Sequence, residues 1–273
     1  MIRLKLKRQP KVPLQADRLS PDGLSGLSHD AICAIEILHG RRRCRVDDFF
    51  DVQGEGADEL QIEGDLRKVQ QIGSRMTHGT LAIRGDVGMH LGASMSGGKI
   101  TVDGDAGDWA GAEMIGGEIH IGGNAGDRVG GAYVGSLTGM KNGTILVDGT
   151  VGSEIGLRMR RGLIVVGGQA GELAGLQMKG GTIVLRGGAA ARCGAWMRRG
   201  TIVSLQPVAT LATHRYSTDY NPTFLNLYAR HLQGFGIEIP YRSEEGGYAR
   251  YCGDGSVRGK GEILVWQPRD ASV

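Results

Sequence analysis

The residues with the clearest potential for chemistry are cations that recur at one position of a repeat. Lys141, Arg160, Lys179 and Arg198 each follow a methionine. Arg161 and Arg199 stand beside two of them, and Arg158 precedes Met159. If the methionines point inward, strand alternation turns these neighbours outward. A basic ridge results, with charges stacked at about the 4.8 Å spacing of neighbouring strands. Like charges that close repel by about 1 kcal/mol per pair even in a water-like medium. Such a ridge is either a solvated arginine face screened by salt or a track for a polycarboxylate or an acidic partner surface.

Other reactive residues do not converge. His78, His90 and His120 occupy different positions within their repeats, which argues against a shared metal. Cys193 stands before a corner glycine and reads as a small packing residue. Asp86, Asp105 and Asn124 share one position in consecutive repeats, continued by Thr150 and Gln169, and read as turn formers rather than a cation site. The chain has no GxSxG elbow, HExxH or P-loop. Gly253-Asp254-Gly255 and Gly259-Lys260-Gly261 look suited to phosphate, but no helical pattern follows either, so they read as glycine turns.

The elements that must position the cations are a repeat. Glycine accounts for 48 of 273 residues. Gly79, Gly98, Gly117, Gly143, Gly162, Gly181 and Gly200 open successive copies, each 19 residues after the last except for the 26 between Gly117 and Gly143. Apolar residues follow two and four places on, as in Leu81 and Ile83 or Ile164 and Val166, which is strand alternation. Glycine recurs at the corners, and a methionine closes each copy from Met95 to Met197. A degenerate earlier copy runs from Leu60 to Met76. One such turn cannot bury its apolar face, so the copies must stack. These offsets do not fit a six-residue period. The expected fold is mainly β: a right-handed parallel β-helix of about seven turns over 58–205, with small α/β caps at 1–57 and 206–273. The extra residues of the long copy, Tyr133 to Gly139, must bulge from one edge, as either a binding feature or a tolerated loop.

In the first cap, Ile2 to Lys7 reads as a strand, Ser28 to Leu38 as a short helix, and Arg45-Val46 as strand-like. In the second, Asn221-Pro222 reads as N-cap and first helical residue. The aromatics of that helix are expected to cover the last turn, Gly234 to end the helix, and Glu262 to Trp266 to form a strand. A net charge of +3 gives no reason to expect nucleic acid. The four cysteines make no CxxC pair or disulfide framework, and no window is long and apolar enough to span a bilayer. A soluble cytoplasmic protein is expected.

The repeat with its flanks resembles a known family. Its elements are Leu19-Ser20-Pro21-Asp22, Asp48-Phe49-Phe50-Asp51-Val52, Tyr251-Cys252-Gly253-Asp254 and Gly259-Lys260-Gly261-Glu262-Ile263. With the glycine repeat they resemble the C subunit of formylmethanofuran dehydrogenase and its bacterial relative in the formyltransferase/hydrolase complex. The repeat alone also resembles the C-terminal domain of the glutamate synthase large subunit. The resemblance implies a structural and docking subunit without catalytic residues of its own, which binds no cofactor alone. It implies formyltransferase, amidohydrolase-like and molybdopterin-enzyme-like partner subunits. It further implies a complex that moves formyl from tetrahydromethanopterin to a methanofuran-type carrier and releases formate. Arginine-rich composition favours this version over a tungsten or molybdenum dehydrogenase. Furan carriers bear glutamate tails, which makes such a tail a candidate ligand for the ridge beside an acidic partner. A stand-alone polyanion-binding module, or an independent acyltransferase-type solenoid enzyme, would be the alternatives outside a complex.

Overall fold

The computed structural model describes residues 1–56 and 58–269. Most strands fall in one 13-stranded, mostly parallel sheet. Its centre is the repeat. Strands Glu59–Glu63, Thr80–Arg84, Lys99–Val102, Glu118–Ile121, Thr144–Val147, Leu163–Val166, Lys179–Leu185 and Arg199–Ser204 pair in chain order. The register puts equivalent residues opposite one another, for example Leu81 with Ile100, Ile119 with Ile145 and Ile164 with Ile183.

Two further ladders join the same copies. Single parallel bridges link Leu66, Val87, Ala106, Ala125, Val151, Ala170 and Ala189 in turn. Beside the methionines, the N–H of Lys141, Arg160, Lys179 and Arg198 each donates to the carbonyl of the methionine one copy earlier. Each copy is therefore tied to its neighbours on three sides. The isoleucine columns and Met76, Met95, Met114, Met140, Met159, Met178 and Met197 lie between them, fully buried.

The corners require glycine where backbone crowds backbone. At Gly117 φ is +87°, and a Cβ would sit 2.8 Å from the Gly98 carbonyl oxygen and 2.7 Å from Cε of Met95. The Asp86, Asp105 and Asn124 column does turn work: Asp86 Oδ1 accepts the Asp105 N–H, Asp105 Oδ1 that of Asn124, and Asn124 Oδ1 that of Thr150.

The ends differ in part from expectation. Ile2–Leu6 is a strand and extends the sheet in parallel with Glu59–Glu63. The expected helix from Ser28 to Leu38 is cut short: Ser28 caps His29–Cys33, and Glu36–His39 is a strand. Ile35 and Ile37 are buried while Glu36 and Leu38 are exposed, a period of two that a helix could not satisfy. Arg45 ends the strand Arg42–Arg45, but Val46 opens the helix Val46–Phe49, where Asp48 accepts the Arg45 N–H at 2.8 Å. The second cap's helix is Leu225–Gln233, with Phe224 rather than Asn221 at the N-cap position. The Asn221 amide donates instead to the Gly246 carbonyl, and Pro222 precedes the helix. Gly234 stands at the C-cap as expected.

That helix does not cover the end of the stack. It lies along the outer face of the later copies, where Leu225, Ala229 and Leu232 cluster with Leu146, Leu163, Val165, Val184 and Val203. The end is continued by Glu262–Pro268, parallel to Arg199–Ser204, followed by antiparallel Gly246–Cys252 and Arg215–Tyr220. His214 is buried in this region. Burial pushes its pKa below the usual histidine range, against the opposing pull of Asp254 and the Gly194 backbone. A histidine depressed in the folded state costs stability once the unfolded chain begins to take up its proton. Stability should therefore be full above about pH 6.5 and fall as pH drops below it, by no more than roughly 1.4 kcal/mol per unit for this group. Urea titrations between pH 7.5 and 5 should show the slope, and His214→Leu should flatten it. Half-buried His90, lowered by burial as well, adds a second share that the variant keeps.

Candidate functional site

The cations of the ridge lie on one face. Met159 and Met178 point into the core, and Arg160, Arg161, Arg198, Arg199 and Lys141 are exposed, with Arg158 and Lys179 half-buried. The third ladder holds these stretches in place: the N–H of the residue after each of these methionines is tied to the methionine carbonyl of the copy before. Arg160, Arg161, Lys179, Gly180, Arg198 and Arg199 line a groove of about 640 Å³. Lys141 joins Arg160 and Arg161 around a neighbouring hollow. Six of the seven expected ridge residues are thus brought together, and Arg158 lines an adjoining hollow with Lys179 and Arg198.

The ridge concentrates cations without acidic partners on one face. Several arginines on other faces are compensated from copy to copy: Arg84 pairs with Asp103 at 2.7 Å, Arg128 with Glu154 at 2.6 Å, and Arg192 with Glu172. Among the described residues no carboxylate pairs with Lys141, Arg158, Arg160, Arg161, Lys179, Arg198 or Arg199. Two of them hold the insertion instead. Arg158 donates to the Ser136 carbonyl and, at 2.7 Å, to Gln177 Oε1; Lys179 donates to the Leu137 carbonyl at 2.6 Å.

The other root of the insertion sits on an aromatic stack that the sequence reading did not single out. The Tyr133 hydroxyl meets His90 Nδ1 at 3.0 Å, Tyr133 packs on Trp109, and the Arg128 guanidinium lies 4.8 Å from the Trp109 ring centroid. Burial pushes the Tyr133 phenol up to about 12. The signal was present: His90, Trp109 and Arg128 share one position in three consecutive copies. The remaining candidates stay apart. Cys193 is buried in the core, and burial pushes its thiol up to about 12. No group of three or more metal-ligating side chains occurs among the described residues. No helix among them is long and apolar enough to cross a membrane.

The glycine-rich segments near the C-terminus prove structural. Gly253 N–H donates to the Gly261 carbonyl at 2.6 Å, Gly259 N–H to the Asp254 carbonyl at 2.9 Å, and Lys260 N–H to the Arg198 carbonyl at 2.7 Å. Asp254 is buried, and its carboxylate accepts the Trp196 N–H at 2.8 Å. No helix of eight residues starts there to supply a phosphate site.

Fold and repeat together define a GXGXG protein: the model of the GXGXG motif family matches residues 66–221. Curated relatives narrow this. The C subunit of tungsten-containing formylmethanofuran dehydrogenase 2 from Methanothermobacter wolfeii is 41% identical over 90 residues, covering 31% of this chain and 33% of the relative. The C subunit of molybdenum-containing formylmethanofuran dehydrogenase 1 from Methanothermobacter thermautotrophicus is 44% identical over 83 residues, covering 30% of this chain and 21% of the relative. Both alignments therefore span a third or less of those relatives. A chain in the X-ray crystal structure of the formyltransferase/hydrolase complex from Methylorubrum extorquens, in complex with methylofuran, aligns with a TM-score of 0.88. It is 34% identical, over 96% of this chain and 98% of that one. The chain belongs to the family of formylmethanofuran dehydrogenase C subunits.

Proposed function

We propose that the chain is a non-catalytic structural and docking subunit of a formyltransferase/hydrolase complex. That complex transfers formyl from formyl-tetrahydromethanopterin to a methanofuran-type carrier and releases formate. The observation that carries the reading is the near-complete likeness, at 34% identity, to a chain of such a complex. In this reading the repeat is a right-handed parallel β-helix of 19-residue turns over 58–205, between caps at 1–57 and 206–273. The partners are formyltransferase, amidohydrolase-like and molybdopterin-enzyme-like subunits, in the cytoplasm, and the carrier belongs to the assembled complex. The basic ridge is the docking face.

The test is reconstitution. Co-expressed with those subunits, the tagged chain should elute in a stable complex that converts formyl-tetrahydromethanopterin to formate in the presence of the carrier. The chain purified alone should do neither half-reaction. Formyl transfer by the lone chain would defeat the reading.

A second reading is supported by the curated relatives, which are tungsten- and molybdenum-containing dehydrogenase subunits. It predicts that the assembled complex reduces a viologen dye with formylmethanofuran and loses that activity without tungsten or molybdenum. Salt-sensitive binding of many polyanions by the lone chain would instead indicate a stand-alone module.

A further inference from the structure

The ridge has apolar flanks on both sides. Towards the insertion, Leu137, Trp196 and Val257 share a hollow of about 370 Å³ with Arg158, Lys179 and Arg198. Towards the C-terminal helix, Phe224, Leu227 and Tyr228 share one of about 700 Å³ with Arg161. Leu137 is 74% exposed, Leu227 70% and Trp196 52%. The hollows and the central groove share Arg161, Lys179 and Arg198, so they form one band across three or more copies. Exposed large apolar side chains gathered in a band are a mark of an interaction site, and a tryptophan among arginines is the usual composition of its energetic centre.

The band is built before anything binds. Arg158 and Lys179 tie the carbonyls of Ser136 and Leu137 down, which holds the Leu137 side chain out. Less ordering then remains to be done on association.

We propose that this band, on the reading above of the chain as part of a complex, is the seat of a partner protein. The matching partner surface presents a row of carboxylates flanked on both sides by apolar side chains. Charge complementarity selects the carboxylates: seven cations gathered on one face lack acidic partners among the described residues, while Arg84, Arg128 and Arg192 on other faces have them. The flanks select a protein surface over a polyglutamate tail. Such a tail offers carboxylates and short methylene stems, and would leave Trp196, Leu137 and Leu227 with no apolar partner to meet.

The experiment uses the full chain co-expressed with the other subunits of the formyltransferase/hydrolase complex. Trp196→Ala, Leu227→Ser, the double variant Arg160→Glu/Arg198→Glu and a distant control, Arg3→Glu, are compared by affinity for the purified partner subunits. The melting temperature of each lone variant checks that it folds. Trp196→Ala should weaken association on the order of thirtyfold, the loss of one central anchor, and the double reversal at least as much. Leu227→Ser should weaken it less, and Arg3→Glu not at all. Folded variants that all assemble like wild type would overturn the proposal, as would a double reversal that only raises the KM for a polyglutamylated carrier. Failure of the wild-type chain to assemble would instead defeat the reading of the chain as part of that complex.

Discussion

Asp254→Ala should lower stability by about 3 kcal/mol, with a fall in melting temperature of roughly 5–10 °C. The reason is positional. Along the stack, the N–H groups of Arg75, Ser94, Arg158 and Gln177 each donate to a carbonyl of the following copy. Trp196 occupies the same place in the final copy, with no further copy above it. The Asp254 carboxylate stands in for the missing carbonyl and also accepts the Ser256 N–H at 2.9 Å. Burial pushes this carboxyl up, but hydrogen bonds from Ser256, Trp196 and Thr213 outweigh it and hold the pKa down to about 2. A carboxylate depressed from its usual value of about 3.9 contributes stability that is complete above that pH. The contribution is lost as pH falls towards 2, and amounts to about 2.5 kcal/mol. Asp254→Asn keeps an acceptor and should recover part of the loss at neutral pH, with a shallower decline in acid. Thermal melts of the three proteins between pH 7 and pH 3 check this. Equal stability of wild type and Asp254→Ala would show that the end of the stack needs no such cap.

Two adjacent residues should give opposite results. Met159→Ala should cost about 2–5 kcal/mol, because it removes a fully buried side chain from a column that cannot collapse around the gap. The methionine's Cε fills the space against the corner at Gly181, beside which the Thr182 N–H donates to the Gly162 carbonyl. Arg160→Ala, one residue on, should change stability by less than about 0.5 kcal/mol, since its side chain is exposed and without an ion-pair partner among the described residues. Relief of repulsion along the ridge could make the change slightly favourable, more so at low salt. Urea unfolding of both variants measures the contrast. Similar losses at the two positions would mean that methionine and arginine do not face opposite ways.

The contrast between those neighbours was legible in the chain because it depends only on strand alternation and on a strict repeat. Leucine or isoleucine two places after each opening glycine, methionine at the close, and a cation after it from Met140 onwards are local facts. Stacking multiplies them into columns without further information. The seven-residue surplus between Gly130 and Met140 was readable for the same reason.

What lay outside the repeat was decided elsewhere. Residues 28–38 were ambiguous because Ser28 is a sound cap, yet a strand slot beside Arg42–Arg45 favoured pairing for Glu36–His39. The helix at Leu225–Gln233 carries apolar residues that would suit an end or a side equally well. The side is settled by the later copies: their outward positions are Leu146, Val165, Val184 and Val203, where earlier copies have Ala82, Thr101 and His120. That switch in outward polarity was written in the chain, but it becomes a surface only once the copies are stacked.

The sequence by itself determined the repeat, its inward columns and the ridge of cations, because each follows from spacing along one chain. Only the tertiary structure decided where the caps rest, which apolar side chains flank the ridge, and which cations lack acidic partners. Leu137, Trp196 and Leu227 stand far apart in the sequence, and charge compensation is a property of distance in space, so no pattern along the chain could join them.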